Sequence, residues 1–533
     1  MMDCQFGRRG FLVAGSAALV GLGGGQIPVR KTTSGHIAGR STIRPGVTAW
    51  LGIPYAAPPV GELRWKPPQP VRPWEGIRQA TQFGASPWAP SSKTDSVGGF
   101  IPSHMNEDCL TLNVWAPPSD GRLRPVMVWI YGGAFIMGTT EDPLYDGARL
   151  AAEDVVVVSI NYRVGILGSF AHPDLARESP HGVSGNYGLM DQIAALRWVR
   201  DNIAEFGGDP DQVTIFGQSA GAFSVGYHLV MPQSRGLFGR AIAESGAPLG
   251  QPSSNILLGR TSEMEQLGSA FAYRVGATDI TALRQIPARK IVEAYGFSWQ
   301  FYPAIDGWLV PDHPYTMMAS GRCARVPVMA GHNHDEGMVF PPLGGGTQAG
   351  FVLAVKDFYG AQSLDVLRVL EQEGHSTPPD MGHEIFGDVV FNWNSIALSM
   401  IMARVAPSFA YRFDYRYARS PLGSDHAQGG KGDGLGAFHG AEIGFVFGTH
   451  RFVEAARRQE QEHLMRVMSG YWSNFARSGD PNGSGLPHWP QYRPGDRKLF
   501  RLDSDRQEVT GIENYDRLVL LGRAMNNRLL EQG

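Results

Sequence analysis

Cysteine is scarce in this chain. Of three among 533 residues, Cys4 lies near the N-terminus, which leaves Cys109 and Cys323 for the body of the protein. So few cannot form a disulfide framework, even in an oxidising compartment. Charge is low too, at 18% of residues with a formal net charge of -3, and this gives no electrostatic case for a nucleic-acid partner. No stretch beyond the N-terminal segment has the roughly 18 uninterrupted apolar residues of a membrane helix, so no stable membrane anchor is expected. Internal repeats and low-complexity tracts are also missing.

What is present is material for a large core. Hydrophobic residues make up 43%, with 12 Trp and 26 Phe, which points to a well-packed globule. The pair Arg8-Arg9, then Gly10-Phe11-Leu12 and the mild apolar run Val13 to Leu22, resembles a twin-arginine export signal. An exported protein, periplasmic or secreted, is therefore expected, with residues 1–30 as signal segment. Residues 31–533 are expected to form a single domain with inserted segments at about 250–325 and 340–405.

Between residues 36 and 250, apolar strand-like runs alternate with helical stretches, which predicts an α/β fold with helices on both faces of a mostly parallel sheet. Val126-Met127-Val128-Trp129-Ile130 and Val155 to Ile160 are continuous enough for interior strands covered on both sides. Ile193, Leu196, Val199 and Ile203 recur at helical spacing as a crossover helix. Beyond residue 250 the pattern becomes irregular, with short helices and turns such as Pro341-Pro342-Leu343-Gly344-Gly345-Gly346, broken by strand-like runs at Val326 to Ala330 and Phe409 to Tyr415.

One pentapeptide concentrates the chemistry. Gly217-Gln218-Ser219-Ala220-Gly221 follows the apolar run Val213 to Phe216 and opens a helix-compatible segment from Ala220 to Val230. A G-x-S-x-G between strand and helix is a nucleophile elbow: glycines let strand and helix approach, and a strained turn exposes the serine hydroxyl. A serine needs a base, and the base an orienting acid, which in this fold follow the nucleophile in the order acid, then histidine. The run Gly331-His332-Asn333-His334-Asp335-Glu336-Gly337 offers the acid, either Asp335 or Glu336, and Gly436-Ala437-Phe438-His439-Gly440 offers the base. Tyr131-Gly132-Gly133-Ala134-Phe135 follows a core strand and can aim backbone N–H groups at a developing oxyanion, joined by the amide of Ala220.

Together with Gly52-Ile53-Pro54-Tyr55-Ala56, Glu107-Asp108-Cys109-Leu110, Asn161-Tyr162-Arg163-Val164-Gly165, Gly185-Asn186-Tyr187-Gly188-Leu189 and Phe206-Gly207-Gly208-Asp209-Pro210, these blocks resemble, in order, the type-B carboxylesterases, the family that includes the cholinesterases. The resemblance covers nearly the whole chain beyond the signal segment. It implies an α/β-hydrolase fold and a cofactor-free hydrolysis of small-molecule carboxylic esters, with Ser219 as nucleophile, Glu336 rather than Asp335 as acid, His439 as base and Gly133, Ala134 and Ala220 as oxyanion donors. It also implies a buried Arg64–Glu107 ion pair and, because Ser86 stands where a partner for Cys109 is expected, an unpaired Cys109. Serine and acid are expected to flank the imidazole, one at each ring nitrogen. The Gly-Gly-Ala-Phe loop is similar to that of members accepting bulky alcohols.

The chain departs from the cholinesterase pattern at Gln218, where glutamate is usual, and at Gly99 and Phe100, where a tryptophan is expected. Without that carboxylate and ring a quaternary ammonium loses its partners, so choline esters are not the expected substrates. Trp88, Phe135, Phe340, Phe391 and Trp393 are candidates for the wall of an apolar substrate gorge, with Phe135 foremost and Gln218 beside the nucleophile. Two competing readings are a binding protein that keeps the fold without turnover, and a metal-dependent hydrolase using His332 and His334; a zinc site would need further convergent ligands. Oligomeric state is left open.

Overall fold

The structure, a computed structural model, describes residues 28–90, 100–250, 259–298, 300–417, 435–449 and 455–525. The arginine-pair segment expected to be the export signal lies outside them. Eleven strands form one sheet: β1 (Arg40–Ser41), β2 (Thr48–Pro54), β3 (Thr111–Ala116), β4 (Arg124–Ile130), β5 (Val156–Ile160), β6 (Gly208–Gln218), β7 (Arg240–Glu244), β8 (Val328–Asn333), β9 (Ser408–Phe413), β10 (Lys498–Leu502) and β11 (Gln507–Gly511). Their spatial order is β11-β10-β9-β8-β7-β6-β4-β5-β3-β2-β1. From β5 across to β10 every pairing is parallel, and the strands flanking that block are antiparallel. The apolar run of β4 and that of β5, broken only by Ser159, sit where both faces are covered, and every residue of β5 is buried.

The crossover helix Tyr187–Asn202 buries Ile193, Leu196 and Val199, and Ile203 follows it in a short 3-10 turn. This chain segment returns through β6 to the elbow, so the serine emerges at the carboxyl end of a central strand. Loops after β4, β6, β8 and β9 open on this same edge, which is where open α/β sheets hold their chemistry.

After residue 250 the described chain is more regular than its sequence pattern indicates. Helices span Thr261–Arg274, Ala288–Tyr295, Gln348–Tyr359, Ser363–Gln372, Pro378–Gly387 and Trp393–Met402. Thr347 and Thr377 cap two of them by accepting backbone N–H groups. Among the described residues, Pro378–Met402 is long and apolar enough to cross a bilayer, but its apolar window is 89% buried within the fold. It is a core helix, interrupted by a π-turn at Asp388–Asn392.

Candidate active site

Ser219 follows the last residue of β6 directly, with φ 56° and ψ −123°, and helix Ala220–Val230 starts at the next residue. Such a backbone is strained for a non-glycine residue and persists only when its surroundings over-determine it. They do so here: Ser219 N–H donates to the Glu244 carbonyl on β7 at 2.9 Å, and the flanking glycines permit close contact. A Cβ on Gly221 would lie 1.9 Å from the Ile130 carbonyl oxygen, and one on Gly217 2.5 Å from the same atom. Ser219 itself is partly exposed while its neighbours Gln218 and Ala220 are buried.

The loop after β4 lies against the serine, for a Cβ on Gly132 would fall 2.9 Å from that of Ser219. Gly133, Ala134 and Phe135 all have positive φ, at 108°, 56° and 59°. Three successive residues in this region turn the loop sharply. Its amides at Gly133 and Ala134 donate to no protein acceptor among the described residues. The N–H of Ala220, first in its helix, has no intrahelical acceptor and stands at the positive end of the helix dipole. All three are available to a negative oxygen above Ser219.

β8 and β9 deliver the other two groups. Glu336 opens a 3-10 turn just past β8, and His439 sits in the loop that follows β9. Glu336 Oε2 meets His439 Nδ1 at 2.5 Å with both side chains buried, and Glu336 Oε1 accepts the Asn333 N–H at 2.7 Å. Asp335 is held elsewhere: it accepts from Ala437 N–H at 2.7 Å and pairs with His334 and Arg416. It ties the β8 loop to the loop carrying His439.

The second ring nitrogen differs from expectation. His439 Nε2 lies 3.0 Å from the side-chain amide nitrogen of Gln218, and Ser219 Oγ makes no hydrogen bond among the described residues. With the Nδ1 proton held by Glu336, Nε2 is the acceptor of a neutral imidazole, so Gln218 presents N–H to it.

Of the expected gorge residues, two surround the base. Phe391 stacks on the imidazole with centroids 4.1 Å apart, and Phe340 lies at 5.3 Å. Phe391 sits in the π-turn, a helical irregularity often found at functional sites. Phe386, which the sequence reading missed, packs on both phenylalanines. The other three lie elsewhere. Phe135 is 3% exposed and packs in the hydrophobic core. Trp393 is fully buried, and Trp88 lines a separate small hollow with Arg64, Glu107 and Cys109. A narrow hollow beside Gln218 is lined by Gly132, Gly133, Met105, Met137 and Tyr145, with Thr139 and Asp142 among its polar members. Methionines carry no pattern that separates a cavity wall from ordinary core, which is why the sequence does not expose them.

Several neighbouring groups are structural. Arg64 and Glu107 form a two-point pair at 2.6 and 2.7 Å, and Cys109 and Cys323 are free and buried. His332 is buried, and burial lowers its pKa to about 3, helped by Arg412 and His334. For His334 burial acts downward too, but hydrogen bonds to Asp335 and Glu513 outweigh it and raise the pKa to about 9. The two histidines do not converge, and among the described residues no three His, Cys, Asp or Glu side chains are grouped to hold a metal ion.

The last residue of β7 is a buried acid with a measurable consequence. Burial lifts the Glu244 carboxyl from 4.5 to about 8, opposed by a hydrogen bond from Trp472 Nε1 at 2.8 Å. A raised folded pKa favours the folded state below the unfolded value and loses that contribution as pH climbs from 4.5 to 8. Glu244→Gln, neutral throughout, should match the parent's melting temperature at pH 4 to 4.5. By pH 8 it should exceed it, with the gap widening as pH rises. Calorimetry at the two pH values checks this, and a gap that does not widen with pH would refute it.

The carboxylesterase family model matches residues 26–518. The para-nitrobenzyl esterase of Bacillus subtilis is 35% identical over 89% of this chain and 94% of its own length. The fumonisin B1 esterase of Sphingopyxis macrogoltabida is 37% identical over 91% and 88%. A solved PNB esterase superposes with a TM-score of 0.78 at 31% identity, covering 93% of this chain and all of that one. With an elbow serine, a mostly parallel sheet and matches spanning most of its length, the chain belongs to the carboxylesterase family, as a serine carboxylesterase on the α/β-hydrolase fold.

Proposed function

We propose that the protein hydrolyses apolar carboxylic esters through an acyl-enzyme, with Ser219 as nucleophile, His439 as general base and then general acid, and Glu336 as the group that orients it. The observation carrying this reading is the buried 2.5 Å contact between Glu336 and His439 Nδ1. It fixes the tautomer and leaves Nε2 as the only ring atom able to take a proton. His439 removes the Ser219 proton as Oγ bonds to the ester carbon, and the carbonyl oxygen becomes an oxyanion facing the N–H groups of Gly133, Ala134 and Ala220. Collapse breaks the C–O bond to the alcohol, which leaves with the proton from Nε2. Water then repeats the sequence: His439 takes its proton, hydroxide adds to the acyl carbon, and Ser219 leaves with the proton restored.

The preference for apolar esters is supported by Phe340 and Phe391, which pack against His439, and by Met105, Met137 and Tyr145 in the hollow beside Gln218. The fumonisin-type esters named for one relative and the nitrobenzyl esters named for another are starting substrates. Tertiary-alcohol esters belong in the same screen because of the Gly133-Ala134 loop. Export, read from Arg8-Arg9, accompanies the proposal and is tested by locating the protein in a fractionated host. The test of function is covalent: a fluorophosphonate should label one peptide, that of Ser219, in step with loss of ester turnover, and chelator should leave turnover intact. Labelling elsewhere, or hydrolysis that survives full labelling of Ser219, would overturn the reading. A fold kept only for binding would show no turnover to lose.

A further inference from the structure

We infer that Gln218 is a latch on the general base: its amide holds the Nε2 lone pair of His439 in the resting enzyme, and yields it to Ser219 when substrate fills the cavity that Gln218 itself lines. The inference rests on His439 acting as the base in the proposed mechanism.

The geometry presents a competition. An imidazole nitrogen has one in-plane lone pair and accepts one strong hydrogen bond. Gln218 Nε2 occupies it at 3.0 Å, while Ser219 Oγ, which must use the same lone pair to react, makes no hydrogen bond to it among the described residues. The ring is poorly placed to resolve this by moving. Glu336 grips Nδ1 at 2.5 Å, Phe391 covers one face at 4.1 Å and Phe340 stands at 5.3 Å. A glutamine side chain is freer, with three rotatable bonds against the pinned ring. The mobile partner is therefore the carboxamide.

The same carboxamide faces the cavity. Gln218 lines it with Gly132, Gly133, Met105, Met137 and Tyr145, and its Oε1 is packed 3.0 Å from where a Gly132 Cβ would stand. Filling the space displaces the amide from Nε2, whereas a small ester leaves it seated and must break the hydrogen bond without compensation. Gln218 thus acts through His439, as a positioning residue that favours esters large enough to occupy the cavity.

Two variants test this. Gln218→Met keeps length and removes both donor and acceptor; Gln218→Glu keeps shape but can only accept. Steady-state kcat/KM is measured against pH for ethyl acetate and for 1-naphthyl butyrate. A net hydrogen bond is worth about 1 kcal/mol, so Gln218→Met should speed the small ester about fivefold and shrink the bulky-to-small ratio by the same factor. Losing the donor to the neutral ring favours the imidazolium, so the acid limb of the profile should move to higher pH. Gln218→Glu adds a negative charge and should move it further, by about one pH unit. Equal slowing of both esters with an unmoved acid limb would reduce Gln218 to packing and overturn the latch. His439→Ala separates the two failures. If it is inactive while Gln218→Met behaves as the parent, only the latch falls; if it retains turnover, the base assignment itself falls.

Discussion

Ser219→Ala should lose about 10⁵ to 10⁶-fold in kcat while the protein stays folded and binds ester analogues as before. The loss is large because nothing near the elbow can stand in for the hydroxyl. The next residues along the helix are Ala220 and Gly221, and the serine on β7's exit, Ser245, is fully buried. Alanine keeps the Cβ and tolerates the 56° φ about as well as serine does, so melting temperature should hardly change. What survives is the oxyanion-loop contribution acting on water, roughly 10³-fold over the uncatalysed rate. Turnover within about a hundredfold of the parent, in protein free of wild-type contamination, would remove Ser219 from the mechanism.

The second large effect is at the acid. Glu336→Gln should lower kcat about 10⁴-fold at neutral pH with little change in KM. The reason lies in how the carboxylate is held. Asn333 N–H donates to Oε1 at 2.7 Å, so a glutamine there keeps its oxygen on Asn333 and turns its NH₂ toward His439 Nδ1. Two donors cannot face one another, so Nδ1 must become the acceptor and the proton moves to Nε2. A base protonated at Nε2 cannot take the serine proton. Asp335→Asn serves as the control, since Asp335 ties Ala437 and His334. It should cost stability through the loop and leave most of the turnover. A Glu336→Gln variant no slower than Asp335→Asn would contradict the role given to Glu336.

Much of the scaffold was readable from local pattern. The apolar runs at Val126 and Val155 are interior strands β4 and β5, and Val326 and Phe409 mark β8 and β9. These runs are legible because a strand covered on both faces is mostly apolar, and the few buried polar residues in it, such as Ser159, do not hide the pattern. The helices beyond residue 250 were under-read, since capping threonines such as Thr347 and Thr377 are too common to announce a helix start. The aromatic candidates divided for a similar reason. Phe340 and Phe391 reach the imidazole, whereas Phe135 and Trp393 pack inward. A large apolar side chain near a site motif looks the same in sequence whether it lines a cavity or fills a core.

The family, the α/β order of elements, the glycine-flanked serine turn and the two loops from which an acid and a base come are legible in the chain alone, because each is written in short contiguous patterns. Packing brings Glu336 to the ring, as the family resemblance implies, and it alone reveals that methionines line the hollow beside Gln218 and that the Nε2 lone pair faces that glutamine. Those outcomes depend on side chains 103 and 221 residues apart meeting within hydrogen-bond reach. Such a distance is set by how whole strands and loops pack, and no local stretch of chain encodes it.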